Sequence, residues 1–558
     1  MLIGIDVGGT FTDGVVFANG NVIRWDKQPT NSERLRESIE AVLDNLLPDG
    51  EGQGVERLVL STTLVTNLLA TGKLEKAALV VIPGPGLNPH EVKFSDEYYV
   101  VKGGIDFRGR EIDPIDQEEV RKTGKLISEQ GIRKVAVVGK FCQRNPSQEV
   151  QVAGILKKEY PDMDILMGHE VSGELNFPRR AVTTYYTLTT RDQWSQFADE
   201  IEGVLRSRNI TVPIDVMKAD GGTMSLSVSR EAPCQTVFSG PAASTMGAYA
   251  LALDKMTSVV VDIGGTTTDL AFILDGKPLH AFKGARIGDR YTQVKALAVR
   301  SVALGGDSVV RLAGDKLQIG PDRQGNAACF GGPLPTPTDA FNLLGEAHLG
   351  HTDLSYKALA TLAGDDSKAV TRLAEQVVDT FIDLLLQNIK EMMQSWEQEP
   401  AYKVWEIVNR RRVKIDRVIG IGAASPVVIP LLASRMGCQG FVNRLSTVAN
   451  ALGAVVARPT LQISLHADTQ TGTYSTEGNL KKLPGPGRIQ MRDIKKLAEN
   501  ELLALAESKG MGEYFAEREF VMEEQFNIIR GWSTSGQIFD VGITISPGVI
   551  KGFQGVKV

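Results

Sequence analysis

The residues with the clearest chemistry occur twice. Asp6-Val7-Gly8-Gly9-Thr10-Phe11-Thr12-Asp13 and Asp262-Ile263-Gly264-Gly265-Thr266-Thr267-Thr268-Asp269 both read Asp-x-Gly-Gly-Thr-x-Thr-Asp. The offset between them is constant, and it continues into a second turn, where Asn19-Gly20 answers Asp275-Gly276. A glycine pair lets backbone N–H groups approach a ligand with no Cβ in the way. Successive N–H groups in such a turn cup an anion, and threonine hydroxyls donate to phosphate oxygens. Gly8, Gly9, Thr10, Thr12, Gly264, Gly265, Thr266 and Thr267 are therefore the candidate polyphosphate ligands. Asp6 and Asp262, each at the end of an apolar run, suit a hydrated Mg²⁺, which prefers oxygen ligands and keeps several waters. Two facing copies could hold a polyphosphate between them, with the metal in the seam. Asp13 and Asp269 leave two roles open: orienting the threonines of their own loop, or acting as carboxylates beside the reacting phosphate. A single copy reads equally well as an ordinary hairpin turn, so the in-register duplication carries the argument. The chain has no G-x-x-x-x-G-K-[ST], which excludes a Walker-type phosphate loop.

Each copy is framed by strands. Leu2 to Val7 and Val259 to Ile263 are short buried runs, and Val15 to Phe17 and Leu270 to Leu274 follow the glycine turns. The Asn-Gly and Asp-Gly pairs then turn the chain into a third strand. Between the copies, Thr30-Asn31-Ser32-Glu33 reads as a capping box. It opens a helix striped by Leu35, Ile39, Val42, Leu43 and Leu46. Val55 to Leu60 is a strand that hands the chain to Ser61-Thr62-Thr63 and Asn67. Loops at the carboxyl ends of strands line ligand crevices in open α/β sheets, so these four are substrate candidates; a helix cap is the competing reading.

Ala77 to Ile82, Val135 to Val138 and Ile165 to Met167 are further strands, separated by helices at 117–130 and 149–158. Residues 83–116 show no clear period and read as an irregular insertion. Arg179-Arg180, followed by Thr183, Thr184, Tyr185 and Tyr186, is a patch that could grip carboxylate or phosphate or make structural ion pairs. An amphipathic helix is expected over 194–206. Ser239-Gly240-Pro241-Ala242-Ala243-Ser244 leads into a helix over 245–253, either as an anion site or as a plain helix start. Gly305-Gly306-Asp307-Ser308 is another possible nest ahead of a helix-like stretch, and Pro335-x-Pro337 presents Thr338-Asp339. His348 and His351 would share a helix face. Val370 to Trp396 keeps helical spacing behind Asp366 or Ser367. Val418 to Ile421 is a strand entering Gly422-Ala423-Ala424, and residues 449–458 form a small-residue helix. After 460, a turn-rich stretch (469–478), a helix (493–508) and alternating strands (520–545) form a small α+β unit.

The totals are those of a soluble globular chain. At 558 residues, with 42% hydrophobic and 23% charged, two to four domains are expected. A net charge of −6 with no basic stripe argues against nucleic acid or an anionic membrane as partner. Cys142, Cys234, Cys329 and Cys438 are far apart and contain no CxxC, as in a reducing compartment. The first strand starts at the N-terminus, with no signal peptide ahead of it, so a cytoplasmic protein is expected.

The paired signature resembles the actin, heat-shock-70 and sugar kinase superfamily of ATP-binding folds. More narrowly, the chain is similar to the hydantoinase A and 5-oxoprolinase family. The likeness is carried by residues 6–13, Ser61-Thr62-Thr63-x-x-Thr66-Asn67, 170–174 with Arg179-Arg180, 239–243, 262–269, 305–308, 337–340 and 422–424. It covers about residues 1–459. The resemblance implies an α/β fold of two actin-like, ribonuclease H-like lobes around an ATP cleft, with a small α+β C-terminal piece. The expected domains are 1–170, 171–459 and 460–558. It also implies ATP and Mg²⁺, with Gly305, Gly306, Gly422 and Ala423 at the nucleotide. Asp6, Asp13, Asp262 and Asp269 stand as the catalytic carboxylates and Asp6 and Asp262 as the metal ligands. Ser61, Thr62, Thr63, Asn67, Arg180 and Asp339 face the substrate in that reading. The implied activity is ATP-dependent opening of a cyclic amide (hydantoin, 5-oxoproline or lactam) or activation of a related carbonyl, with a hydantoinase B-like subunit and possible homo-oligomers. Two other readings share the nucleotide site: an ATPase clamp that activates or repairs a partner enzyme, and a small-molecule kinase.

Overall fold

A computed structural model describes residues 1–556 apart from 32–33, 49–50, 315, 399–412, 477 and 488. The two signature copies fold into matching hairpins at the centres of two sheets. In the first, Leu2–Val7 pairs antiparallel with Phe11–Ala18, which pairs with Asn21–Pro29, while Arg57–Thr62 lies parallel on the other side of Leu2–Val7. In the second, Ser258–Ile263 pairs antiparallel with Thr268–Leu274, which pairs with Lys277–Pro278 and Val299–Val302. Arg417–Ile421 lies parallel on the far side of Ser258–Ile263. Each sheet has six strands.

The first sheet does not close at residue 170, where the sequence suggests a boundary. Ile214–Met217 and Thr223–Ser225 complete it, the former parallel to Arg57–Thr62. The interval instead holds a separate parallel sheet in the order Asp164–Met167, Lys134–Gly139, Ala77–Ile82, Tyr98–Val100. Residues 83–116 thus contribute a strand, Tyr98–Val100, which is too short to show a period in sequence.

Two helices join the halves. Ser239–Leu251 and Ala449–Val456 cross at backbone contact distance: a Cβ on Gly247 would lie 2.0 Å from the Ala449 carbonyl oxygen, and one on Gly453 would lie 1.9 Å from that of Ala243. Small residues at the crossing admit that approach. The helix starts at Ser239 because Phe238 takes a left-handed turn (φ 57°), so the expected start at 245 is six residues late.

The remaining helices follow their stripes. Leu35–Leu46 buries Ile39, Val42, Leu43 and Leu46, although Ser32 and Glu33 of the expected capping box lie outside the described residues. Ser367–Glu397 is the long core helix, with Asp366 accepting from the Lys368 amide. The amphipathic stretch at 194–206 is the second half of a helix that begins at Phe177. The stretch after Ser308 is a hairpin strand, Val310–Ala313, rather than a helix. His348 lies outside the helices, and His351 precedes Thr352–Ala363, so no helix face carries both.

The C-terminal unit is a five-stranded antiparallel sheet covered by the helix Met491–Ser508. The turn-rich stretch contains one of its strands, Thr473–Thr476. Arg108 and Arg144 dock the unit on the inserted sheet through Asp468 (2.6 Å) and Asp540 (3.0 Å). Among the described residues no helix is long and apolar enough to cross a membrane. Cys142, Cys234 and Cys329 are buried and all four cysteines are free.

Candidate functional site

Strand register brings the acids together. Asp6 lies directly opposite Asp13 across the first hairpin, and Asp262 opposite Asp269 across the second. Opposed residues share a face of the sheet, so each hairpin presents a pair of carboxylates. The rows extend onto the flanking strands. One reads Ser61, Asp6, Asp13, Lys27 and the other Ile421, Asp262, Asp269, Ser301.

The two turns are closed in the same way. The Gly8 amide donates to the Phe11 carbonyl at 3.0 Å and the Gly264 amide to that of Thr267 at 2.9 Å. Those two amides are therefore spent within their turns. The amides of Gly9, Thr10, Gly265 and Thr266 have no partner among the described residues, and these are what each turn offers an anion. Thr10, Thr266 and Thr267 are exposed. Thr12 is not: its hydroxyl is buried against that of Thr30 at 2.9 Å. Thr268, its counterpart, donates to the Leu304 carbonyl at 2.6 Å. Both close the hairpin from behind.

All four carboxylates are held above the ordinary carboxylate range, chiefly by burial. For Asp6 (4% exposed) the rise is opposed by the nearby Ser61 hydroxyl, the Asn450 amide and Lys27. Neither Ser61 Oγ nor Asp6 Oδ1 has a hydrogen-bond partner. Asp13 is raised to about 7 by burial and by the charges of Asp6 and Asp262, against the pull of Lys27, whose ammonium sits 2.6 Å away. Asp262 is raised by burial and by Asp6, and the Ser244 hydroxyl donates to its Oδ2 at 2.6 Å. Asp269 is raised to about 7 by burial and by Asp262, with only Ser301 opposing, and its Oδ1 has no partner. Mutual repulsion among these groups puts the two hairpins within electrostatic reach of one another. Asp262 and Asp269 keep some solvent contact, although protein surrounds them on most sides.

Each crossing helix supplies one hydrogen bond to a signature aspartate. Asn450 donates to Asp6 Oδ2 at 3.2 Å, as Ser244 does to Asp262. Lys27 also donates to the Thr447 carbonyl at 3.2 Å.

Gly305 and Gly306 are buried behind the second turn. The Gly306 amide donates to the Gly264 carbonyl and the Asp307 amide to that of Gly265. A Cβ on Gly305 would lie 2.4 Å from the Gly265 oxygen. Their role is to fix the turn. Arg323 binds Asp307 at 2.9 Å and reaches the Thr266 hydroxyl at 3.4 Å, putting a cation at the turn itself. Gly422 adopts φ 87° just past Arg417–Ile421, close beside Ile263 and Asp262, and Ala423 is exposed.

The other candidates divide. Ser61 and Thr62 end the strand beside Asp6, and Ser239 at the crossing helix donates to the Thr62 carbonyl at 2.8 Å. Thr63 and exposed Asn67 follow on the next helix, Leu64–Thr71. Asp339 is wholly buried and accepts from the Ala328, Cys329 and Thr336 amides and the Thr336 and Ser355 hydroxyls, so it is a structural carboxylate. Arg180 is also wholly buried, donating to the Glu174 and Gly139 carbonyls at 2.7 and 3.0 Å. It belongs to the inserted sheet.

Asp6 Oδ1 and Asp269 Oδ1 are buried oxygens without partners, as expected where a hydrated cation and its waters would bind. No cluster of three or more His, Cys, Asp or Glu side chains that could hold a metal occurs among the described residues.

Lys27, Asn450 and Arg323 are site residues that the sequence reading does not reach, and Ser244, there part of a possible anion site, instead binds Asp262. Lys27 is found only through strand register, and Asn450 only through the helix crossing. Nothing in the sequence around Arg323 marks it.

Comparison with known proteins identifies the family and the fold. A family model described as hydantoinase/oxoprolinase matches residues 180–463, and the hydantoinase/oxoprolinase N-terminal region matches residues 2–160. The caprolactamase subunit alpha of Pseudomonas jessenii is 25% identical over 507 residues, covering 81% of this chain and 69% of that protein. An uncharacterised protein of Methanocaldococcus jannaschii is 23% identical over 463 residues, covering 75% of this chain and 65% of its own length. The chain thus spans about two thirds of these relatives. The crystal structure of the ATP-dependent caprolactamase from Pseudomonas jessenii superposes with a TM-score of 0.72 at 17% identity, covering 98% of this chain and 87% of the other. A nucleotide-free acetone carboxylase gives 0.70 at 17%, covering 99% and 88%. These likenesses show that the fold is shared.

Proposed function

The chain belongs to the hydantoinase/oxoprolinase family, and from that premise we propose that it uses ATP to activate a cyclic amide, or a related carbonyl, for ring opening by water. The observation that carries the reading is the pair of opposed Asp rows, each behind a turn with unpartnered amides. The free amides of Gly9, Thr10, Gly265 and Thr266 would take the phosphate oxygens, with the Thr10, Thr266 and Thr267 hydroxyls beside them. Asp6 and Asp262 would hold Mg²⁺ through water, and the ion supplies charge neutralisation for phosphoryl transfer when bound.

An amide carbonyl is a poor electrophile. Its oxygen attacks the γ-phosphorus, ADP leaves, and the product is an imidate phosphate. Water then adds to the carbon, the C–N bond breaks as the nitrogen takes a proton, and a second water hydrolyses the resulting acyl phosphate to phosphate and a ring-opened amino acid. Asp269 suits the proton acceptor for the first water. Among the described residues it has no cation partner, and a pKa of about 7 matches a base working near neutrality. Asp13, bonded to Lys27, suits a positioning role in its own hairpin. Ser61, Thr62, Thr63 and Asn67 beside Asp6 are the proposed substrate contacts.

We also infer a partner subunit. The caprolactamase relative is itself a subunit. In this chain the ribbon Arg518–Arg530 and Ser533–Ile545 carries exposed Phe526, Ile529 and Trp532 toward its tip, and apolar groups grouped on a surface mark contact sites. The test is ADP release across hydantoins, 5-oxoproline, lactams and ketones, with and without a hydantoinase B-like protein. Stimulation by one amide class supports the reading. A slow rate indifferent to every amide and to the partner rejects it.

A further inference from the structure

The inserted parallel sheet has a crevice of its own. The chain leaves Ala77–Ile82 toward one side of the sheet, to Tyr98–Val100, then returns to the other side with Lys134–Gly139 and Asp164–Met167. The switch in direction falls between Ala77–Ile82 and Lys134–Gly139. In open α/β sheets, ligands bind outside the carboxyl ends of the strands at such a point. A cleft of about 420 Å³ lies there, lined by Leu87 from the loop after the first strand, Lys140, Phe141 and Gln143 from the loop after the second, and Leu175 to Pro178 with Arg180 from the segment after Asp164–Met167. None of the four aspartates of the duplicated signature lines it.

Three observations point to a ligand. Gln143 is only 4% exposed, lines the cleft, and among the described residues has no partner for either Nε2 or Oε1. A buried amide with both ends unmatched is costly unless something completes it. Arg180, with its terminal nitrogens bound to backbone carbonyls, leaves Nε buried and unmatched at the same cleft. Phe141 and Asn176 on its walls both sit at positive φ, 61° and 87°, and strain of that kind in non-glycine residues gathers at functional sites. The framework behind is rigid: Glu149 accepts from the Gly139 amide at 2.6 Å and the His169 amide at 2.9 Å, and pairs with His169 Nδ1.

We propose that this crevice binds a small apolar molecule bearing an amide edge. Its carbonyl oxygen accepts from Gln143 Nε2, with Arg180 Nε as a second donor, and its N–H donates to Gln143 Oε1. Leu87, Phe141, Phe177 and Pro178 enclose the hydrocarbon body. A carboxylate or ketone would leave Gln143 Oε1 unmatched, so the donor–acceptor edge selects amides. A lactam presents both groups on one side of its cis-amide, and a primary carboxamide does the same with an open chain. The site stands apart from the four signature aspartates, and its ligand is read from its own walls.

The test is ligand-observed NMR on the full chain without nucleotide, using δ-valerolactam, valeramide and, as a carbonyl-only control, cyclohexanone. The lactam, the carboxamide or both should bind, with cyclohexanone at least about tenfold weaker; the tighter of the two amides identifies a ring or open-chain ligand. Gln143→Leu, and separately Leu175→Arg at the exposed rim, should each weaken binding by about tenfold or more, while Asp262→Asn should not. The proposal is overturned if neither amide binds, if cyclohexanone binds equally well, or if both crevice variants bind like the parent protein. Because no nucleotide is present, these outcomes are independent of whether an amide stimulates ADP release.

Discussion

The two hairpins share a backbone and differ in charge. Both oppose one acid to another across the strands and close their glycine turns with the same hydrogen bond. Behind the first pair stands Lys27, bonded to Asp13 and to a carbonyl of the segment before the crossing helix. Behind the second stands Ser301, and Arg323 is out at the turn. The front position differs as well, Ser61 beside Asp6 but Ile421 beside Asp262. A duplicated scaffold has thus become a half whose inner acid is ion-paired to a lysine and a half whose inner acid faces a serine, although burial raises both inner acids to about 7.

The sharpest way to break that distinction is to neutralise one acid at a time. Asp269→Asn should lower amide-dependent ADP release by about 10²- to 10⁴-fold, the usual contribution of a general base. Asp13→Asn should cost less than about tenfold in the same step. Equal losses would erase the division of labour. Stability should respond the other way round. Lys27→Met leaves buried Asp6 and Asp13 without their cation and should cost about 1–3 kcal/mol in urea unfolding, less than a fully buried pair because Lys27 is partly exposed. Ser301→Ala should cost about 1 kcal/mol or less.

The smallest expected effect is in pH dependence. Burial raises the folded pKa of Asp269 to about 7 from 3.8. The folded state therefore holds a proton that the unfolded chain releases, and stability falls as pH rises from about 4 through 7, then levels. Without ligand, the melting temperature should drop across that window. Asp269→Asn should flatten the drop by about 1–3 °C. A parent protein whose melting temperature rises from pH 5 to 7.5, with Asp269→Asn identical to it, would contradict the assignment.

The hairpins themselves were readable because their grammar is local: apolar run, glycine pair, apolar run, turn. The long helix Ser367–Glu397 was readable for a similar reason, its stripe persisting over many turns. What escaped is what depends on register and tertiary crossing. A regular ladder through the Asn19-Gly20 turn, continuing Ala18 opposite Asn21, would set Asp13 against Asp26. A bulge between Val16 and Phe17 shifts the pairing by one and brings Lys27 there instead. Asp339 was misread because Pro-x-Pro-Thr-Asp looks like a presented loop, whereas its Asp closes a capping box and collects buried amides. The boundary at 170 was set where strands paused, and no local pattern shows that Ile214–Met217 returns to the first sheet.

The most direct measurement is equilibrium binding of ATP to the full chain, with and without Mg²⁺, in the parent protein and in Gly9→Val and Gly265→Val. The account predicts Mg²⁺-dependent binding that each substitution, one in either hairpin, weakens by at least about tenfold. ATP bound equally tightly by both variants would show that the duplicated turns do not hold the nucleotide.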